Sequence, residues 1–347
     1  MIEKSRIDSI ISSYKKPAVA TICSHSSLQI FHGAKLEGLK TIGICMRGKE
    51  KIYDAFPLAK PDDFIFVDSY SQIPVSELVA RSAIIVPHGS FVEYVGEKLD
   101  NLPIPVLGNR SSLVWERSRD KMFEWMQKAG LRTPRVFPNP QDIDRPVIVK
   151  FPGAKGGMGY AIVNSYEEYK NKVGSKPAMI QEFLSGVRAY PHYFYSPLSA
   201  KGYRAGKGSV ELLGVDRRVE SNADEIGRAL YANAKTPMGF TVVANEPLVL
   251  RESLLPEYLE IGKKVSEAAD RLFGGIPGPF CVETIITEKM EIYAFEISAR
   301  IVAGTNMFAD SSPYSVFMDK KPLSMGRRIA IEIKEAAKKK RLSEILY

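Results

Sequence analysis

Five short apolar runs punctuate the first hundred or so residues: Ala18–Cys23, Thr41–Cys45, Phe64–Val67, Ala83–Val86 and Val106–Gly108. Each is three to six residues long, mostly rich in Val and Ile, and bounded by Gly, Pro, Ser or Asp. Such runs suit strands buried on both faces. Helical stretches separate them, so the pattern predicts an α/β fold whose N-terminal domain is a doubly wound parallel sheet. The Gly-x-Gly-x-x-Gly fingerprint of dinucleotide binding is absent.

After Glu116 the pattern changes to α+β. An amphipathic helix over Arg117–Gly130 carries Met122, Trp125, Met126 and Ala129 on one stripe. Strands are expected at Val147–Phe151, Gly159–Val163 and Ala178–Leu184, with a capping box from Ser165 and Glu168 opening the helix between them. Later strands are expected at Val210–Val215, Val249–Leu250, Phe280–Thr287 and Glu291–Ser298, with a long helix near Glu257–Phe273. The boundaries expected are 1–115 for the first domain, 116–190 for a lid subdomain and 191–347 for a subdomain carrying the metal-binding strands.

A chain of 347 residues with 45% apolar and 25% charged residues has ordinary globular composition. It contains no apolar run long enough to span a bilayer and no N-terminal apolar signal core, so a cytoplasmic protein without membrane contact is expected. Cys23, Cys45 and Cys281 are scattered in apolar runs and read as buried thiols. The formal charge of +8 includes a local excess of +5 between Arg327 and Arg341, read as a solvated C-terminal helix with Ile329, Ile333 and Ala336 on its apolar side. Nucleic acid is not the expected partner; the remaining excess suits phosphorylated small molecules.

Four pieces carry nucleotide chemistry. Lys150 ends an apolar strand and can reach phosphate oxygens, although an edge lysine facing water would look the same. Directly after it, Gly153, Gly156, Gly157 and Gly159 surround Lys155 in a run whose amides could converge on phosphates, or which could simply turn a hairpin. Gln181, Glu182, Phe183 and Leu184 form a strand end whose backbone could pair with an adenine edge. Glu283 and Glu296 lie in two markedly apolar strands. A hairpin turning at Glu288-Lys289 would put Glu296 opposite Cys281 and make Glu283 its diagonal neighbour. A three-residue loop would put the two glutamates on opposite faces. On one face the carboxylates require a cation, and magnesium or manganese answers that need.

Asp120-Lys121, Lys150 before the glycine run, Gln181-Glu182, Glu283, and Glu296-Ile297-Ser298-Ala299-Arg300 together resemble the ATP-grasp superfamily over residues 116 to about 306. That resemblance implies that Lys121 and Lys150 contact ATP phosphates and that Gln181-Glu182 is the adenine hinge. It also implies a metal held by Glu283 and Glu296; Ser298 replaces the usual asparagine of the last motif.

Ser24, His25, Ser26 and Ser27 end the first strand at a helix N-terminus, where a phosphate is favoured; Ser24 or Ser26 could instead cap the helix. His88-Gly89-Ser90 ends another strand and could face the same crevice. Residues 24–34, 87–91, 153–160 and 214–218 are similar to the formate-dependent 5-formaminoimidazole-4-carboxamide ribonucleotide synthetases of archaeal purine biosynthesis. The resemblance implies ligation of formate to the 5-amino group of aminoimidazole carboxamide ribonucleotide with ATP, by way of formyl phosphate. It implies acceptor contacts from His25, Ser90 and Asn245, help from Glu220 in binding ATP, and a homotrimer or hexamer. Arg300 and Arg217 are the candidates for holding formate or the intermediate. A ligase using another acid or amine, a non-catalytic AMP/ATP-binding regulator and a nucleic-acid binder acting through the basic tail are the alternatives.

Overall fold

The computed structural model describes residues 1–155, 158–200, 202–220 and 241–347, the backbone alone over 152–155 and at 158. The first apolar runs form β1 (Ala18–Ile22), β2 (Thr41–Met46), β3 (Asp63–Val67) and β4 (Ala83–Ile85), all parallel, in the order β3-β2-β1-β4. Every residue of β1 and β4 is buried, as strands covered on both faces require. The fifth run is a single parallel bridge, Ile85 to Val106, with Leu107 N–H donating to Ile85 O, and its other edge pairs antiparallel with the C-terminus, Leu107 opposite Leu346.

A second sheet is antiparallel: β5 (Val136–Phe137), β6 (Val147–Lys155), β7 (Met158–Val163) and β8 (Met179–Glu182), in the order β5-β8-β6-β7. The expected capping box is present in modified form. Ser165 Oγ accepts from Glu168 N–H, while Glu168 Oε2 accepts from Asn164 N–H, one residue earlier than the motif requires.

The third sheet contains β9 (Val187–Ser196), β10 (Tyr203–Ala205), β11 (Gly208–Glu220), β12 (Val242–Pro247), β13 (Gly278–Ile286) and β14 (Ile292–Ser298). Its order is β10-β11-β9-β13-β14, with β12 on β11. The boundary expected at 190 falls inside β9. Pro191 sits in this central strand, where a missing N–H should be excluded. The β9–β13 ladder is interrupted there, between the pairs Cys281–His192 and Thr284–Ala189. Val249–Leu250 is not a strand: Val249 is exposed, and Leu250 N–H donates to Tyr314 Oη.

Helix Leu255–Phe273 packs against this sheet, opened by a proline in its first turn and closed by Gly274 in the left-handed region. The helix expected over Arg117–Gly130 spans Arg119–Lys128, and a separate helix, Arg110–Arg117, precedes it. Ser118 separates the two by taking an extended backbone and accepting from Lys121 N–H.

The C-terminal helix Met325–Lys338 is not merely a solvated basic element. It crosses helix Ser27–Leu36 so closely that a Cβ on Gly33 would lie 2.2 Å from the Gly326 carbonyl carbon. Arg327 pairs with Glu37, and Arg328 pairs with both Glu211 and Glu332 while stacking 4.1 Å above Phe194. Two of the basic residues read as solvent-facing therefore hold the fold together. No helix among the described residues is long and apolar enough to cross a membrane.

Candidate active site

A cleft of about 620 Å³ opens where the ends of all three sheets converge. Its floor is the β13–β14 hairpin. The turn is the three-residue loop that would separate the two glutamates, closed by Thr287 N–H donating to Glu291 O. Up to Thr284–Ala294 the register follows from that loop; then it shifts, and Glu283 pairs directly with Glu296. Phe295 is the extra residue of a β-bulge, and its insertion restores the parity the loop would have lost. Glu296 is thus opposite Glu283, and Ser298 opposite Cys281, rather than Glu296 opposite Cys281. Directly paired residues share a face, and both carboxylates line the cleft.

Burial, followed by the charge of Glu283, raises the Glu296 pKa to about 7. Lys150 reaches the same place from β6, its ammonium 5.4 Å above the Phe295 ring. Burial lowers its pKa, with Glu296 opposing. Two adjacent hard-oxygen donors, one of them costly to ionise, fit a divalent cation, whose charge would reverse that cost. Buried Ser298 lines the cleft two residues further along.

One wall comes from β8 and its exit: Gln181, Glu182, Phe183 and Leu184 all line the cleft. Gln181 is buried and its Oε1 has no hydrogen-bond partner; Glu182 pairs with Arg145 at 3.0 Å. Beside the glycine run, Lys155 of β6 pairs with Met158 of β7, and Gly159 has φ +77°. Of Gly153 and Lys155 the backbone alone is described, and Gly156 and Gly157 lie outside the described residues. Lys121 is exposed and does not reach the cleft; Arg119, two residues earlier across the helix start, lines it instead.

The opposite wall is β11. Alternation along a strand puts Asp216, Arg218 and Glu220 on the cleft side and sends Arg217 outward. Arg217 is exposed and pairs with Glu246 at 2.6 Å, so it is not brought to the site. Glu220 is in the cleft, ion-paired with Arg188. Arg218 donates to both oxygens of Glu283. Asn245 donates from Nδ2 to Asp216 at 2.7 Å, which leaves its amide oxygen for another partner. Arg300 lines the cleft with Nη2 3.0 Å from Glu116.

The far end is built by the parallel sheet. β1 delivers Ser24 and His25, β4 delivers Gly89 and Ser90, and Ser90 Oγ donates to Ser24 Oγ at 3.1 Å. His25 has φ +54°, an unusual conformation for a side-chain-bearing residue. It lets the ring stack on His88 with centroids 5.2 Å apart. His88 accepts from Ser90 N–H at Nδ1, so Nε2 carries the proton and donates to Ile22 O. Desolvation, then His88, Arg300 and Arg218, lower the His25 pKa, so its ring is neutral at pH 7. A Cβ on Gly89 would stand 2.7 Å from His25 Nε2, so glycine is needed there. Ser26 and Ser27 do not reach the cleft. Ser26 Oγ bonds to His25 Nδ1 and Ser27 Oγ to Tyr53 Oη, and no serine side chain caps the helix. Arg119, Asp216 and Arg218 escaped the sequence reading; the parity of β11, anchored on Glu220, would have found the last two.

One parallel and two antiparallel sheets around a nucleotide-sized cleft lined by paired acidic and basic side chains define an ATP-grasp enzyme. The same fold occurs in an ADP complex of N5-carboxyaminoimidazole ribonucleotide synthetase (TM-score 0.62, 13% identity, 90% of this chain and 75% of that one). Family models described as a domain of unknown function (DUF1297) and a protein of unknown function (DUF1246) match residues 167–347 and 19–137. A 5-formaminoimidazole-4-carboxamide-1-(beta)-D-ribofuranosyl 5'-monophosphate synthetase of Methanococcoides burtonii is 51% identical over 356 residues, covering 100% of both chains. The synthetase of the same name from Methanothrix thermoacetophila is 51% identical over 357 residues, again covering 100% of each. The crystal structure of an IMP biosynthesis protein PurP from Thermococcus kodakaraensis superposes with TM-score 0.75 at 31% identity, over 95% of this chain and 100% of that one. The chain belongs to the 5-formaminoimidazole-4-carboxamide ribonucleotide synthetase family.

Proposed function

We propose that this protein joins formate to the 5-amino group of aminoimidazole carboxamide ribonucleotide, consuming ATP and giving the formamido nucleotide, ADP and phosphate. The observation that carries the reading is the direct pairing of Glu283 with Glu296 on the floor of the cleft, beside Lys150. The names of the full-length relatives support the product.

Formate is a poor electrophile. A formate oxygen attacks the γ-phosphorus of ATP, giving formyl phosphate and ADP. The aromatic amine then attacks the formyl carbon, phosphate departs, and the nitrogen loses a proton. Glu283 and Glu296 would hold magnesium or manganese, which supplies charge neutralisation for phosphoryl transfer. Lys150 and Arg119 add positive charge at the phosphates, and residues 181–184 seat the adenine. Ser24, Ser90 and neutral His25 bind the acceptor nucleotide, with Asn245 offering an oxygen to one of its N–H groups. Arg300, fixed by Glu116, faces the one-carbon anion. Holding three reactants in one cleft contributes about 7–11 kcal/mol to the barrier reduction. No step needs a cysteine: all three are buried, and none lines the cleft.

The test is to incubate the protein with ATP, magnesium, carbon-13 formate and aminoimidazole carboxamide ribonucleotide and to follow products by mass spectrometry. Labelled formamido nucleotide equimolar with ADP is expected. ADP release without a formylated product counts against the reading.

A further inference from the structure

Glu283 has two claims on it. It is half of the acidic pair, and both its oxygens accept hydrogen bonds from Arg218, Nη1 at 3.1 Å and Nη2 closer still. Glu283 is buried, and Arg218 is about three-quarters so, which makes this pair far more than a surface contact. The guanidinium also lies 4.1 Å above the Tyr190 ring, a second attachment independent of the carboxylate. Arg218 faces the cleft that His25 and Arg300 line, and its charge, like that of Arg300, is felt at His25.

We propose that Arg218 is an exchangeable counter-ion: it neutralises Glu283 until a divalent cation arrives, and then anchors the small carboxylate substrate. A divalent ion and a guanidinium compete for the same carboxylate charge, so binding of the first weakens the hold of the second. The Tyr190 stack keeps the released side chain in the cleft. There its planar fork matches a carboxylate with two parallel hydrogen bonds, which suits formate, an anion with nothing else to grip. Arg300 does not share this behaviour, because its partner is Glu116 rather than a member of the acidic pair. Metal and carboxylate binding therefore help one another, and by linkage the help is reciprocal. The identity of the carboxylate rests on the proposed function; the exchange at Glu283 does not.

Calorimetric titration of the full-length protein with manganese chloride, without nucleotide, tests the exchange. Arg218→Gln is expected to bind manganese about tenfold tighter than the wild type, and adding Glu283→Gln to it should remove the gain. Arg218→Lys keeps the positive charge and should bind manganese as weakly as the wild type. An Arg218→Gln protein that melts like the wild type but binds manganese no more tightly overturns the proposal. Side-chain spectra of nitrogen-15 arginine in the wild type need no substitution. Magnesium with ADP should move the Arg218 Nε–H resonance, and an unmoved resonance overturns the exchange. For the second role, Arg218→Lys should raise the KM for formate about tenfold, with kcat changed much less; an unchanged KM overturns it. If wild type fails to use formate at all while the manganese result holds, the substrate assignment is wrong and the exchange stands.

Discussion

Glu296 lies directly across from Glu283 only because Phe295 is an extra residue in β14. The three-residue turn alone would have paired Glu283 with Phe295 and turned the second carboxylate to the other face. The bulge bends the strand at the point where the cleft needs two carboxylates and an aromatic ring under Lys150. Removing one acid is the simplest test. Glu296→Gln is expected to lower kcat/KM by about 10³-fold or more, measured as formamido nucleotide formed per minute.

The same substitution should make the ligand-free protein more stable. Glu296 has a folded pKa raised to about 7, against 4.5 for the unfolded chain. An acid whose pKa is raised gives its full stabilisation below pH 4.5, and loses it progressively as pH rises to 7. The sum is at most about 3 kcal/mol. The melting temperature of the metal-free wild type should therefore fall across that window more steeply than that of Glu296→Gln. Parallel pH profiles would contradict the assignment.

Arg217 and Arg218 are neighbours with opposite fates. Arg217→Ala breaks only an exposed pair with Glu246, worth about 0–1 kcal/mol. Its kcat/KM should stay within about twofold of wild type. A large loss would mean that β11 presents its other face to the substrates.

Gly89→Ala should impair the acceptor site without unfolding the protein. The added methyl meets the His25 ring at 2.7 Å and must push it off its stack on His88. The KM for the acceptor nucleotide is expected to rise about tenfold or more, with the ATP KM nearly unchanged. Steady-state kinetics with each substrate varied in turn decides this.

Much of this architecture was legible because it is built from strong local patterns. The runs at residues 18, 41, 64 and 83 read as parallel strands, and all four are; β1, β2 and β4 are buried almost throughout, whereas β3, at the sheet edge, leaves Phe66 exposed. The two glutamates stood out against apolar neighbours. What was illegible has a physical reason in each case. β9 reads Tyr190-Pro191-His192-Tyr193, with a proline and no period-two pattern, because both faces are buried and its ladder is broken at Pro191. The bulge at Phe295 leaves no mark, since no glycine or proline accompanies it and it shows only in the pairing register. Arg327 and Arg328 looked solvent-facing because their partners, Glu37 and Glu211, are distant in sequence. Ser26 and Ser27 resembled phosphate ligands by position, yet the left-handed turn at His25 swings both hydroxyls inward.

The central claim is a cation gripped between two carboxylates at the nucleotide's phosphates. Anomalous diffraction from crystals grown with manganese and ADP tests it most directly. The account predicts a manganese peak within coordination distance of both Glu283 and Glu296. A peak elsewhere, or ordered ADP phosphates with both carboxylates turned away, would contradict it.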